Sequence, residues 1–224
     1  MSSRRIILVA GCGLAFGAAF ANIGVVLHTG TSVSHLTGDL VRLTVDLLDA
    51  APGALAGLAR VAVAMCAFFL GAALSGYIVH HPDLDFARPY GRTVTAIGLI
   101  FLVASWGIPR APVAGIALAA FGCGLQNALA SRYRGIILRT THLTGLITDL
   151  GLGLGMRLRG FDIPAWKLFV PVALIVSFFL GGLCGAGVFF FTMFDPVRVA
   201  GVAYCIAGAA WGLRGRLRGS PSNS

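Results

Sequence analysis

One short string occurs twice in this chain. Ser34-His35-Leu36-Thr37-Gly38-Asp39-Leu40 returns as Thr141-His142-Leu143-Thr144-Gly145-Leu146-Ile147. Each copy is followed by a second echo, Phe68-Phe69-Leu70-Gly71-Ala72-Ala73 and then Phe178-Phe179-Leu180-Gly181-Gly182-Leu183. His35 and His142 stand 107 residues apart, and Phe68 and Phe178 stand 110 apart. Two motif pairs at nearly one spacing imply a tandem duplication whose halves, 6–110 and 111–213, meet near residue 111. A duplicated apolar chain places its equivalent residues around a shared centre.

Composition fixes the solvent. Of 224 residues, 57% are hydrophobic and only 11% charged, which excludes a soluble domain of this size. The five cysteines all lie in apolar runs without metal-ligand spacing, so they read as small packing residues. The net charge of +9 raises the question of nucleic acid. The arginines answer it: they flank apolar runs, where positive charge orients a membrane protein, and no segment forms a soluble basic face.

Six stretches are long enough, or nearly so, to cross ~30 Å of hydrocarbon at ~20 residues each. They fall near 6–27, 54–79, 93–109, 112–131, 165–191 and 196–213, the third and sixth being marginal. Pro52, His80-His81-Pro82-Asp83, Ile108-Pro109-Arg110, Asp162-Ile163-Pro164 and Asp195-Pro196 mark the breaks. With the N-terminus inside, the inner side receives Arg4, Arg5, Arg88, Arg92, Arg132, Arg134, Arg139, Arg157, Arg159, Lys167, Arg214, Arg216 and Arg218. The outer side receives only Arg42, Arg60, Arg110 and Arg198. Positive charge stays inside, so both ends, including the basic tail 214–224, are expected in the cytoplasm. Three spans per half then turn the second copy upside down relative to the first. The expected fold is an all-α membrane protein, 1–224 as one membrane domain, with six transmembrane helices in two inverted repeats.

The N-terminus also has the look of a signal peptide, with Arg4-Arg5, an apolar run and Ala19-Phe20-Ala21. The same segment aligns with the second half, Gly17-Ala18-Ala19-Phe20-Ala21-Asn22 against Gly122-Cys123-Gly124-Leu125-Gln126-Asn127. Cleavage would remove part of a repeat, so the segment is read as a retained span.

Each His-Leu-Thr-Gly lies between two full spans. In the first half Asp39, Arg42, Asp46 and Asp49 share one face of a short helix, and in the second Gly145, Thr148, Gly151 and Gly155 form a small-residue face. Two arrangements fit. The short helix lies in the membrane interface, capped by Thr37 or Thr144. Alternatively the polar segment dips to mid-membrane and returns as a half-helix, which irregular backbone allows only when buried in protein or facing water. In the second case inversion points both half-helix N-termini at one centre, with free backbone N–H groups, the hydroxyls of Thr37 and Thr144, and the imidazoles of His35 and His142. Asp39 would sit at the start of the first helix, and Arg139 could reach the centre or snorkel to the inner headgroups.

Candidate solute-binding residues are therefore His35, Thr37, Gly38, Asp39, Arg139, His142, Thr144 and Gly145. Arg42 and Asp149 occupy equivalent positions and are expected to pair across the centre. The bland roles are equally concrete: the histidines fix turns, Gly38 and Gly145 permit close approach, and Asn22, Gln126 and Asn127 join helices by hydrogen bonds. His80-His81 with Asp83 and Asp85 reads as an exposed polar loop rather than a metal site. No metal, cofactor or nucleic acid is expected; a homodimer could use the small face of Gly201, Cys205 and Gly208.

From about residue 8 to 212 the chain resembles the YoaK family of small bacterial membrane proteins, which carry a domain of unknown function. The resemblance rests on Ser34-His35-Leu36-Thr37-Gly38-Asp39, Gln126-Asn127-Ala128, and Arg139-Thr140-Thr141-His142-Leu143-Thr144-Gly145 with Thr148-Asp149-Leu150-Gly151. The common family form has Thr-Gly-Asn where this chain has Thr37-Gly38-Asp39, and many relatives carry an aspartate near the position of Asn22. The resemblance implies a multi-span protein of the bacterial inner membrane and no particular substrate. The expected function is a small transporter or channel for a polar solute, anions included. A non-transporting scaffold or partner-binding protein is the alternative. An intramembrane enzyme ranks last, because the chain has no glutamate, no His-Glu-x-x-His and no nucleophile elbow.

Overall fold

The computed structural model describes residues 3–78, 90–129 and 140–218, with the side chains of 8–78, 90–129 and 140–213. Eight helices are present among them: α1 (Ser3–Thr29), α2 (Leu36–Leu48), α3 (Ala54–Ile78), α4 (Tyr90–Gly107), α5 (Pro112–Leu129), α6 (Leu143–Leu158), α7 (Ala165–Phe191) and α8 (Pro196–Arg218). The described residues contain no strand.

The breaks work as their residue types dictate. Pro112 and Pro196 open α5 and α8, where a missing N–H costs nothing. Asp195 caps α8 by accepting a hydrogen bond from the Val197 N–H at 2.9 Å. Gly30 follows α1 and Gly160 follows α6 with φ of +70° and +89°, the left-handed geometry that ends a helix on glycine.

Five helices are long and apolar enough to cross a membrane: α1 from Leu8, α3, α5, α7, and α8 as far as Leu213. The marginal sixth stretch of the sequence thus meets the requirement. The third, α4, does not, since its 18 residues include Arg92, Thr93 and Thr95. It is nevertheless central, with Ile97, Phe101 and Ala104 fully buried.

Packing rests on glycine crossings. A methyl group on Gly71 of α3 would strike the carbonyl oxygen of Phe121 on α5, and one on Gly181 of α7 would strike that of Phe16 on α1. These are equivalent contacts, because Gly71 and Gly181 lie 110 residues apart and Phe16 and Phe121 lie 105 apart. Helix α4 runs antiparallel to α8: Gly91 meets Gly208, Gly98 meets Gly201, and Arg198 Nε donates to Ser105 Oγ at 3.5 Å. Exchanging the halves turns the Gly91–Gly208 contact into Gly98–Gly201. The face of Gly201, Cys205 and Gly208 is therefore taken up inside the chain by α4.

The closest helix pairs, α1 with α7, α3 with α5 and α4 with α8, each join one half to the other. The short helices behave differently. Helix α2 lies along α3 and α6 along α7, within their own halves. Each buries one side chain, Leu43 or Leu146.

Candidate functional site

The two motif corners are built from the long helices outward. Asn22 lies seven residues, or ~10 Å, before the end of α1. Its Oδ1 accepts from Ser32 Oγ at 3.0 Å, Val33 N at 2.9 Å and Ser34 N at 3.2 Å. The chain leaving α1 therefore doubles back beside it. Ser32 Oγ accepts the His35 N–H at 2.8 Å, and the Ser32 N–H donates to Asp39 Oδ2 at 2.6 Å. Asn22, Ser32 and Asp39 form one network that sets the entry to α2.

The second corner repeats this with hydroxyl donors. Asn127, equivalent to Asn22, accepts from Thr141 Oγ at 3.1 Å and Thr140 Oγ at 3.5 Å. Both threonines are buried. Asp39 has Leu146 as its counterpart, and Leu146 is only 3% exposed, packed with Ala15 and Leu174.

Depth follows from the contacts of His35. Its ring meets Phe178 edge-on, with centroids 5.1 Å apart. Phe178 is the midpoint of α7, about 20 Å from either end. The antiparallel α2–α3 hairpin gives the same answer. A methyl on Gly57 would sit 3.3 Å from Leu43 Cδ1, and counting back seven residues to Leu36 adds ~10 Å of descent along α3. The first corner thus reaches the middle height of the long helices.

His142 comes close enough to His35 for their charges to interact. Burial lowers the His35 pKa from its ordinary 6.5, His142 lowers it further, and Asp39 opposes both. His35 is thereby favoured as the neutral imidazole.

The other expected site residues divide clearly. Thr37, Gly38, His142, Thr144 and Asp149 are exposed, while Asp39 and Gly145 are half-buried. Arg42 is 77% exposed and its guanidinium faces Asp46 one turn on, at 3.9 Å. Among the described residues Arg42 is paired there and not with Asp149: the i, i+4 neighbour on an exposed helix face is the nearer carboxylate. Arg139, His80, His81, Asp83 and Asp85 lie outside the described residues. No group of three or more potential metal ligands occurs among the described residues.

Two further links tie the long helices together; of their residues the sequence pointed to Gln126 as a helix-joining group. His28 Nε2 meets Asp195 Oδ1 at 3.5 Å, tying the end of α1 to the start of α8. Tyr204 Oη donates to Gln126 Oε1 at 2.6 Å, and Gln126 Nε2 donates to the Leu14 carbonyl at 2.8 Å, joining α8, α5 and α1. Only the second had a signal, a polar Gln126 in an apolar span.

No curated protein and no solved structure matches the chain. A family model covers residues 10–210. On that match the chain, an apolar helical protein of membrane type, belongs to the family described as Protein of unknown function (DUF1275).

Proposed function

We propose that this chain is a small integral membrane transporter or channel for a polar solute, anions included. It has six spans, with α4 completing the set, arranged as two inverted repeats. Antiparallel packing of the equivalent helices α4 and α8 supports the inversion. The arginine distribution and the likeness to the YoaK family support a bacterial cytoplasmic membrane with both termini inside. The chain carries its solute without transforming it.

The observation that carries the reading is His35 against the midpoint ring of α7, with His142 within electrostatic reach. A corner at that depth favours the re-entrant over the interfacial arrangement. Thr37, Gly38, His142 and Thr144 are exposed there, and irregular backbone in the hydrocarbon region is tolerated only against protein or water. A water-filled path meets that requirement. Two helix N-termini and two imidazoles offer donors to an incoming anion, and Asp39 holds Ser32 when none is present. The network on Asn22 favours one rival, a scaffold in which the corners only lock helices together.

Cysteine accessibility separates the two. With Thr37→Cys and Thr144→Cys in a background lacking native cysteines, membrane-impermeant thiol reagents are expected to label both positions, with side preference altered by a transported solute. Labelling from neither side of the membrane sinks transport and favours the scaffold.

A further inference from the structure

An elongated slot of about 380 Å³ lies between α1, α4 and α8, away from the histidine corners. Its walls run from Ala10 to Phe20 on α1 and from Val199 to Trp211 on α8. That is ~15 Å of helix, so the volume has the bore of one extended chain and not of a bulky ring system. The lining is almost wholly apolar. Its polar side-chain groups are those of Tyr90, Tyr204 and Trp211, and the Tyr204 hydroxyl is engaged by Gln126. Gly13, Ala203 and Ala207 are exposed on it, so the slot opens sideways.

The duplication supplies a built-in control. Leu118 stands where Gly13 stands, 105 residues on, and Ile97 stands where Ala207 stands, 110 residues back. Ile97 is fully buried and Leu118 packs on the same core. One half fills this space with its own side chains; the other leaves it open by using glycine and alanine. Helical interiors are close-packed, so an unfilled groove of this size needs an occupant.

Charge describes the occupant's other end. Tyr90, Ala10 and Trp211 line the same end of the slot. There α1 begins with Arg4-Arg5, Arg92 lies in the first turn of α4, and α8 closes with Arg214, Arg216 and Arg218. Basic residues at the helix ends beside an apolar slot suit a hydrocarbon tail that bears an acid group. We infer that the slot binds one hydrocarbon chain of an anionic amphiphile, with the tail between Gly13 and Ala207 and the acid among the arginines. Because the slot opens sideways, the occupant is a phospholipid of the surrounding bilayer.

Trp211 at the rim is the reporter. The full chain, with Trp106→Phe and Trp166→Phe, is purified in neutral detergent and titrated with three brominated probes: a fatty acid, an anionic phospholipid and phosphatidylcholine. Saturable quenching by the second, and not by the third, is expected; a fatty acid acting at lower concentration than the phospholipid overturns the assignment to the bilayer. Gly13→Leu with Ala207→Ile writes the other half's residues into the slot. It is expected to weaken saturable quenching at least tenfold without lowering Tm, since a Cβ on Gly13 meets nothing within 4 Å. Gly13→Leu alone serves if the pair fails to fold. Quenching that never saturates, that ignores headgroup charge, or that survives filling overturns the inference. So does a wild-type dimer whose slot is reached only on dissociation, which would assign the groove to a second copy.

Discussion

The two histidine corners share one backbone plan and hold it by opposite chemistry. In the first, Asp39 accepts from the Ser32 backbone and Asn22 gathers three donors. In the second, Leu146 is sealed against Ala15 and Leu174, and Asn127 gathers two hydroxyls. A buried apolar plug stabilises a corner without further requirements, whereas a carboxylate at depth must keep every partner. The first corner is thus the adjustable one. Its polar network can be rearranged by a charged or hydrogen-bonding visitor; the second offers a fixed wall.

Exchanging the chemistries tests the contrast most severely. Leu146→Asp removes a buried leucine and leaves a carboxylate without a donor, so it should cost at least the ~2–5 kcal/mol of truncating a core leucine. Asp39→Leu removes one charged acceptor and should cost about 1.5–3 kcal/mol. Thermal unfolding in detergent should rank them in that order. A reversed ranking would mean that the polar network, not the plug, secures the fold.

The asparagines give a finer comparison. Asn22→Ala strands the Val33 N–H and leaves the Ser34 N–H only its longer bond to Ser32 Oγ at 3.4 Å, and should lose about 1–3 kcal/mol. Asn127→Ala releases the Thr140 and Thr141 hydroxyls, which can rotate to other acceptors, so the loss from these two bonds should be smaller. Equal losses would erase the distinction between the corners.

The smallest expected effect is on pH. His35 is favoured neutral in the folded chain, with its pKa below the ordinary 6.5, so the unfolded chain binds the proton first. The stability this contributes is complete above pH 6.5 and falls as the medium is acidified toward the lowered folded value. Comparing Tm at pH 8 and pH 5, the wild type should lose more than His35→Gln. An equal drop in both would remove His35 from the account.

Much of this was legible in the residues. The apolar runs at 54–79 and 165–191 became α3 (Ala54–Ile78) and α7 (Ala165–Phe191), because Pro52 and Pro164 leave little freedom over where a helix begins. The echo of Phe68-Phe69-Leu70-Gly71 pointed to what proved a glycine crossing used twice. Other features were not readable. Arg42 chose Asp46 over Asp149, since sequence equivalence says nothing about distance from an axis. The slot was also invisible, because Gly13 and Ala207 are ordinary residues in apolar helices until their neighbours are known.

The interleaving of the halves bears on how the chain is made. Helices α1, α3 and α4 find their main partners only in α7, α5 and α8. In a nascent protein α5 can join α3, but α1 and α4 still lack the helices that their glycines contact. Assembly must therefore wait for the last segments to leave the ribosome. A message cut short before α7 would keep the α3–α5 pair and leave α1 and α4 without their main partners.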